Sequence, residues 1–362
     1  MKSTFLRFKF LKATLIWTFF AGVLISSCSK SDDNSTPIDK VPLQTAIATA
    51  QGLKDNTAEG TRPTYYEIGS QAALITALNQ ANVVLANASS TQEQLNIATQ
   101  QLLAAITVYQ SHYINEIAAA NLIGYWKMTG NANDSSGNGN NGVVTTGHAF
   151  YGAGTAALTA DRFGRAAHAY HFDKGGNIEI PYKASLNPQA MSLSLWVKWS
   201  SSGRTINPDT YTFLAMNRWN GYKFQLQGGH LPFYTVKVLR GAGDTTIYDR
   251  DDAGIAIAEN TWRHVVVTFK SGEMSFYING DLVKTWDAST PNPVPGTGLT
   301  LPTPINLVIG QDLPTNKYLT VDGDFQVAWG GFFTGDMDDV MFYNIALDGT
   351  QVHSIFLNQN TL

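Results

Sequence analysis

The sequence predicts two folded domains of different class, a small all-α three-helix bundle at residues 41–118 and an all-β sandwich or jelly roll at 121–362. Three observations support this division. A chain of 362 residues is long enough for about two domains. Apolar residues recur at helical spacing in the first region and alternate along short segments in the second. Seven of the eight tryptophans lie from residue 126 onward and none lies in 29–120, so the composition changes at the same boundary.

Residues 1–27 have the charge and apolar pattern of a secretory signal peptide. Four basic residues precede an apolar stretch at 13–25, which is too short to span a bilayer comfortably. The stretch ends in Leu-Ile-Ser-Ser before Cys28, which resembles a bacterial lipobox. This resemblance implies that Cys28 is lipidated; the alternative is an ordinary signal peptide followed by a free cysteine. Cys28 is the only cysteine, which excludes an intramolecular disulfide and a Cys-ligated zinc site.

Residues 28–40 are polar and contain no apolar run, as expected of a flexible tether that begins at the lipidated cysteine. Asp32 and Asp33 follow Cys28 closely and resemble the surface-export signal of Bacteroidetes lipoproteins. The resemblance implies an outer-membrane protein that is exposed at the cell surface and is held to the membrane through its lipid anchor only.

Three amphipathic segments predict the helical bundle, and their repeating apolar positions include Leu43, Leu74, Leu78, Leu95 and Leu102. Ser90 and Glu93 have the spacing of a capping box, which predicts where the third helix begins. Short connections favour antiparallel packing. The segment 77–106 resembles the FIVAR-type helical repeats of bacterial cell-surface and glycan-degrading proteins. Because the bundle contains no histidine pair and few acids, we favour a spacer role over ligand binding.

The second region has strand periodicity and many turn signals. The segment 191–199 places Met, Leu, Leu, Val and Trp on one face, as expected of a strand. The dipeptides at 220–221 and 279–280 are both Asn-Gly, which is typical of tight hairpin turns. Many short strands without intervening helices predict a sandwich or jelly roll.

Six segments of this region, taken in order, resemble the laminin-G-like, concanavalin A-like jelly roll. They are the loop after Trp126, the segments 162–181 and 191–199, the hairpin 260–283, the strand 305–310 and the closing segment 333–352. The resemblance implies a concanavalin A-like fold for 121–362. That family includes lectin-like modules, adhesion modules and some hydrolases, so the fold alone does not determine the function.

The distribution of acidic residues argues against catalysis. A retaining glycosidase needs two carboxyl groups about 5–5.5 Å apart, yet residues 121–362 contain only three glutamates, each distant from the others in sequence: Glu179, Glu259 and Glu273. The acidic cluster at 336–339 lacks the Glu-x-Asp-x-x-Glu pattern of retaining glucanases and is interpreted as structural. The histidines show no HExxH spacing, and no Gly-x-Ser-x-Gly or P-loop motif occurs. We therefore predict no catalytic residue.

A structural calcium site is implied by the family resemblance. In that family, calcium is often held between the opening loop and the closing strand, and Asp134 and Asp338 are the matching positions. The loop that contains Asp134 offers the carboxylate, amide and backbone oxygens that calcium prefers. The alternative is that Asp134 only orders its loop through Asx turns.

A sugar-binding site needs exposed aromatic rings together with amide and carboxylate groups. Such residues occur in the hairpin 218–222 and in the long segment 311–335, and loops of that length are often functional. The predicted ligand-binding residues, with the strongest candidate first, are Trp329, Trp219, Tyr318, Asp322 and Asp324. The alternative is that these aromatic rings pack on neighbouring strands.

Together these features predict a non-catalytic cell-surface lipoprotein that captures polysaccharide or another glycan through its jelly roll. Two alternatives remain open: a glycoside hydrolase of the concanavalin A-like glucanase fold and an adhesion module that binds protein. A nucleic-acid partner is excluded because the net charge is −4 and no basic cluster follows residue 12. Removal of residues 1–27 makes the net charge more negative, which disfavours anionic polymers.

Overall fold

The computed structural model describes residues 37–241, 243–251, 255–289, 296–299, 304–318 and 331–361. The signal peptide, Cys28 and most of the tether lie outside these residues, as do the predicted ligand contacts Asp322, Asp324 and Trp329. Within the described residues, no helix has both the length and the apolar composition needed to cross a bilayer.

Three helices form a bundle at the start of the described chain, as predicted. They are α1 (Val41–Asn56), α2 (Gln71–Ala86) and α3 (Gln92–Ser111). A short parallel pair of strands, β1 (Glu59–Gly60) and β2 (Tyr66–Glu67), lies between α1 and α2. The five predicted leucines are all buried in one core that the three helices share.

The start of α3 corrects the predicted capping box by one residue. Thr91 Oγ1 accepts a hydrogen bond from Gln94 N, and Gln94 Oε1 accepts one from Thr91 N. Ser90 is buried, and its hydroxyl donates to Val84 O at 2.7 Å. The pairs Ser90–Glu93 and Thr91–Gln94 have the same spacing, so the contact of Ser90 with the end of α2 decides between them.

Two antiparallel sheets packed face to face form the β domain. The front sheet contains β4 (Val143–Thr145), β7 (Asn177–Ile180), β9 (Tyr211–Met216), β10 (Tyr222–Gln227), β11 (Leu231–Leu239), β12 (Thr245–Asp251), β16 (Thr297–Gly298) and β17 (Leu307–Ile309). Its order is β12-β11-β10-β9-β17-β7-β4, and β16 pairs with β11. Strands β10, β11 and β12 therefore lie side by side at one end of this sheet.

The back sheet contains β3 (Leu122–Trp126), β5 (Ala157–Thr159), β6 (Ala169–Phe172), β8 (Met191–Trp199), β13 (Arg263–Lys270), β14 (Glu273–Ile278), β15 (Asp281–Trp286) and β18 (Gly335–Tyr343). Its order is β15-β14-β13-β8-β18-β6-β5, and β3 pairs with β18. The predicted inward residues of β8 are all buried in the core between the two sheets, which confirms the alternation read from the sequence: Met191, Leu193, Leu195, Val197 and Trp199.

A fourth helix, α4 (Gly349–Gln359), packs on the outer face of the back sheet and is absent from the predicted elements. Val352 is fully buried in an apolar cluster with Val266, Tyr277 and Tyr343. Asp348 begins the helix with a capping box, since its carboxylate accepts a hydrogen bond from the backbone N–H at the third helical position.

The same helix contacts the helical bundle. Ser354 Oγ donates to Thr61 O at 2.5 Å, and His353 Nδ1 lies 3.7 Å from Glu67 Oε1. Thus α4 joins the connection between α1 and α2 to the sandwich.

Candidate binding groove

A groove of about 860 Å³ lies on the outer face of the front sheet, over β10, β11 and β12. Residues 207–210, which precede β9, also line it. The central lining combines three apolar side chains with an amine, a hydroxyl and a carboxylate: Trp219, Phe233, Ile247, Lys223, Thr235 and Asp249.

Alternation along the strands explains why polar side chains reach this face. On β10, Tyr222 and Phe224 belong to the core between the sheets, so Lys223 faces outward. On β11, Tyr234 belongs to the same core and Thr235 faces outward. The apolar inward set therefore fixes which residues form the floor of the groove.

Lys223, Thr235 and Asp249 occupy opposed positions on three adjacent strands. Because neighbouring strands lie about 4.7–4.9 Å apart, the three residues form a row across the floor. Thr235 Oγ1 donates to Asp249 Oδ1 at 2.7 Å. The row thus has a cationic donor at one end and an anionic acceptor at the other.

Lys223 is nearly buried although it lines the groove, with 5 % of the residue exposed. Within the described part of the chain its amine makes no hydrogen bond or ion pair, and Nζ lies 5.8 Å from the centroid of the Trp219 ring. Desolvation lowers the pKa of Lys223 below its usual value. The groove therefore contains an amine that has no protein acceptor among the described residues.

A buried ion pair holds the turn that carries Trp219. Asn217 and Arg218, between β9 and β10, have positive φ values of 59° and 55°, and a strained arginine of this kind costs about 1–3 kcal/mol. Arg218 Nε donates to Asp312 Oδ2 at 2.5 Å, and both side chains are buried. The guanidinium also lies 4.7 Å from the Trp219 ring centroid. We conclude that the Arg218–Asp312 pair places Trp219 at the groove, while its role in ligand binding stays a prediction.

Tyr318 does not have the predicted surface position. It is 4 % exposed, and its hydroxyl donates to the buried carboxylate of Asp312. Its ring packs edge-on against Tyr151, with the centroids 5.5 Å apart. Tyr318 is therefore not an exposed aromatic contact, because its phenol serves as a donor to the partner of Arg218.

The predicted calcium ligands Asp134 and Asp338 are each bonded to protein donors. Asp134 accepts three hydrogen bonds from backbone N–H groups at 2.8–3.0 Å, and Asp338 accepts from Arg162. Among the described residues, no group of three or more His, Cys, Asp and Glu could hold a metal ion. The contacts of Asp134 agree with the alternative in which it orders its loop. Calcium binding stays a prediction, which melting curves with and without a chelator test.

Asp338 makes stability depend on pH. It shares the guanidinium of Arg162 with Asp339, whose carboxylate lies 2.7 Å from that group. Burial and the neighbouring charge of Asp339 raise the pKa of Asp338 to about 8, against about 3.9 for an unfolded aspartate. Between these values the folded chain binds more protons than the unfolded chain, so the free energy of unfolding falls as the pH rises.

We expect Asp338→Asn to remove this fall in the free energy of unfolding at high pH, because the asparagine side chain resembles the protonated acid. At pH 9 the variant should melt at a higher temperature than the wild type, and the difference should vanish near pH 5. The control is Asp281→Asn, which alters an exposed aspartate. Parallel melting profiles of the wild type and Asp338→Asn from pH 5 to 9 would contradict the assignment.

The glutamates of the β domain lie away from the groove. Each is bonded to a nearby side chain: Glu179 to Asn306, Glu259 to Ser201 and Glu273 to Lys270. The carboxylates among the described residues that line the groove belong to Asp209 and Asp249.

The row of Lys223, Thr235 and Asp249 is missing from the sequence-based candidates, which include Trp219. Its signal is present in Tyr-Lys-Phe-Gln-Leu-Gln at 222–227, where polar and apolar residues alternate. Alternation identifies the residues that point outward, but it does not show which outer face is covered. In the described part of the chain, α4 covers the outer face of the back sheet, whereas the groove lies on the outer face of the front sheet.

Comparison with known families identifies a matching family model. A laminin G family model, described as the concanavalin A-like lectin/glucanases superfamily, matches residues 172–353. This range includes β10, β11 and β12. A comparison with curated proteins finds no match.

Solved structures also match the chain, at low sequence identity. Domain 4 of AbnA, an extracellular arabinanase from Geobacillus stearothermophilus solved in complex with arabinotriose, is 20 % identical with a TM-score of 0.43, and the match covers 65 % of this chain and 98 % of that domain. The binding domain of Paraclostridial Mosquitocidal Protein 1 is 18 % identical with a TM-score of 0.46, covering 67 % of this chain and 53 % of that one. The chain thus spans nearly all of the arabinanase domain and about half of the toxin domain.

Proposed function

Because the chain belongs to the concanavalin A-like lectin/glucanase superfamily, we propose that its sandwich binds a polysaccharide or glycan in the groove over β10–β12 and does not cleave it. The observation that carries the proposal is the composition of the groove. Partly exposed apolar side chains lie beside an amine, a hydroxyl and a carboxylate on one continuous surface.

This composition suits a sugar ring, which has an apolar face and an edge of hydroxyl groups. Phe233 and Ile247 offer apolar surface to the ring face. Asp249 accepts hydrogen bonds from hydroxyl groups, and Thr235 can both donate and accept. A pocket with a mostly apolar lining and a few convergent polar groups is the usual form of a small-ligand site.

Binding without cleavage is supported by the positions of the acids. Glycoside hydrolysis needs an acid and a second carboxylate on opposite sides of the scissile bond. Among the described residues, the glutamates are bonded outside the groove. Of the two carboxylates that line it, Asp209 is exposed and Asp249 receives a hydrogen bond from Thr235. Asp338, whose pKa is raised by burial and by the charge of Asp339, is buried on β18 of the back sheet and bonded to Arg162, so it does not reach the groove.

A glycan array followed by titration of the best ligand tests the proposal. Trp219→Ala should weaken binding about tenfold or more, because stacking one face of a tryptophan on a sugar buries about 60–80 Å² of apolar area, worth about 1.5–2 kcal/mol. The matched control is Trp262→Ala, a half-buried tryptophan beside Lys198 of the back sheet.

Three outcomes of this screen oppose the proposal. Product sugars that accumulate with time would make the protein a hydrolase. Wild-type affinity in Trp219→Ala would place the site elsewhere. A complete absence of glycan binding, together with capture of a defined protein, would favour the adhesion alternative.

We further propose that the sandwich is displayed on the outer membrane by the lipidated Cys28, with the helical bundle as a FIVAR-like spacer. The lipobox-like segment and the acidic residues after it support this proposal. Cys28→Ala should shift the protein from the membrane fraction to the soluble fraction, because one alteration removes the whole anchor. Membrane association that survives the change would contradict the anchor.

A further inference from the structure

We propose that the groove selects glycans that carry a carboxylate, with Lys223 as the residue that recognises the acid. This inference rests on the proposed glycan-binding function and adds the chemical class of the ligand. The observation behind it is a nearly buried amine that lines the groove and has no hydrogen-bond acceptor among the described residues.

A largely desolvated ammonium group without a protein acceptor is unfavourable, because burial removes most of its water and the protein returns no hydrogen bond. Such groups in folded proteins are normally paired with a carboxylate or bonded to several oxygens. Lys223 lacks such a partner in the described chain while its side chain lines an open groove. A ligand that supplies the missing anion would therefore gain more binding free energy at this position than a neutral ligand would.

The nearby protein carboxylates do not serve as that partner. Asp249 is two strands away from Lys223 in the row and already accepts a hydrogen bond from Thr235. Asp312 is buried, and it accepts from Arg218 and from the phenol of Tyr318. Both acids thus have donors of their own. The Lys223 amine does not lie within ion-pair distance of either of them or of Asp209, the other carboxylate that lines the groove.

A carboxylate fits this end of the groove better than a neutral hydroxyl group does. It neutralises the ammonium charge as well as accepting its hydrogen bonds, and charge-assisted hydrogen bonds are roughly twice as strong as neutral ones. Trp219 lies 5.8 Å from Lys223 Nζ, and a second cation, Arg218, lies against the same ring. At the other end of the row, Asp249 would repel a second carboxylate and accept sugar hydroxyls instead.

The net charge predicts that anionic polymers are disfavoured, but that prediction applies only to long-range attraction. The net charge of −4 describes the whole chain, whereas recognition at Lys223 depends on charges within a few ångströms. The excess of acid opposes long-range attraction of a polyanion, so the preference should appear in the dissociation rate more than in the association rate.

The test compares polysaccharides that differ only in the acid. Polygalacturonate, alginate and hyaluronan are each titrated beside their carboxyl-reduced forms, and a sulfated neutral glycan and neutral arabinan and xylan complete the set. We expect at least one acidic polysaccharide to bind tenfold or more tightly than its carboxyl-reduced form. Lys223→Met should abolish that preference, and Lys270→Met, which removes a lysine from the back sheet, should preserve it.

Lys223→Met should fold at least as well as the wild type, because it replaces a desolvated charge with an apolar chain of similar length; its melting temperature checks this. Equal binding of acidic and reduced forms, binding of the sulfated glycan alone, or binding of neutral glycans alone would overturn the carboxylate inference and leave glycan binding intact. Binding to no glycan of the set or of the array would overturn both. An acid preference that survives in Lys223→Met would remove this lysine from the site.

Discussion

Arg218→Met is expected to lower the free energy of unfolding by about 3–5 kcal/mol and to abolish binding in the groove. The substitution leaves the carboxylate of Asp312 buried without its cation, and both side chains of the pair are almost fully buried in the wild type. It also removes the contact that holds the strained turn at 217–218, so Trp219 loses its position. Chemical denaturation and titration with the best array ligand measure the two effects.

A double variant separates the lost charge pair from the lost side chain. Asp312→Asn combined with Arg218→Met removes the buried negative charge and retains an acceptor for the phenol of Tyr318. We expect the double variant to recover a substantial part of the stability while binding stays weak. A double variant no more stable than Arg218→Met alone would mean that the ion pair is not the source of the effect.

Val352→Asp is expected to destabilise the chain by about 3 kcal/mol or more. Val352 is fully buried between α4 and the back sheet, in a cluster that includes Tyr277 and Tyr343. An aspartate there has no cation to pair with in that cluster. Because α4 also bonds to Thr61, its release should expose the segment between the bundle and the sandwich to proteases as well.

The loss in Val352→Asp should depend on pH in a defined direction. A buried, unpartnered carboxyl has a raised pKa, so the destabilisation is smallest in acid and grows as the pH rises. The near-isosteric Val352→Thr carries no charge and is the control. Equal stability of the aspartate and threonine variants at pH 8 would show that α4 does not bury Val352 against the back sheet.

The elements with strong periodicity could be predicted from the sequence, because their burial follows from local pattern. The leucines of the bundle and the inward residues of β8 lie in the cores that their spacing indicates. The cap of α3 could not be placed to the residue, since two candidate pairs had the same spacing and the burial of Ser90 against α2 decided between them.

The lining of the candidate groove could be predicted only in part, because long-range contacts determine which side chains are exposed. Tyr318 lies in a long loop, where the sequence predicts an exposed aromatic ring. Its hydroxyl instead bonds to Asp312. Asp312 forms a buried ion pair with Arg218, which is 94 residues away in the sequence. Lys223 sits in a regular strand pattern that is compatible with either an open or a covered face. Among the described residues, α4 packs on the outer face of the back sheet, and the groove leaves the face of Lys223 accessible.

A crystal structure with an oligosaccharide from the array tests glycan binding in the groove most directly. We predict an intact sugar chain over β10, β11 and β12, with hydroxyl groups at Asp249 and an acid within hydrogen-bond distance of Lys223 Nζ. A sugar bound at any other surface, or a cleaved product in the groove, would contradict the proposed function.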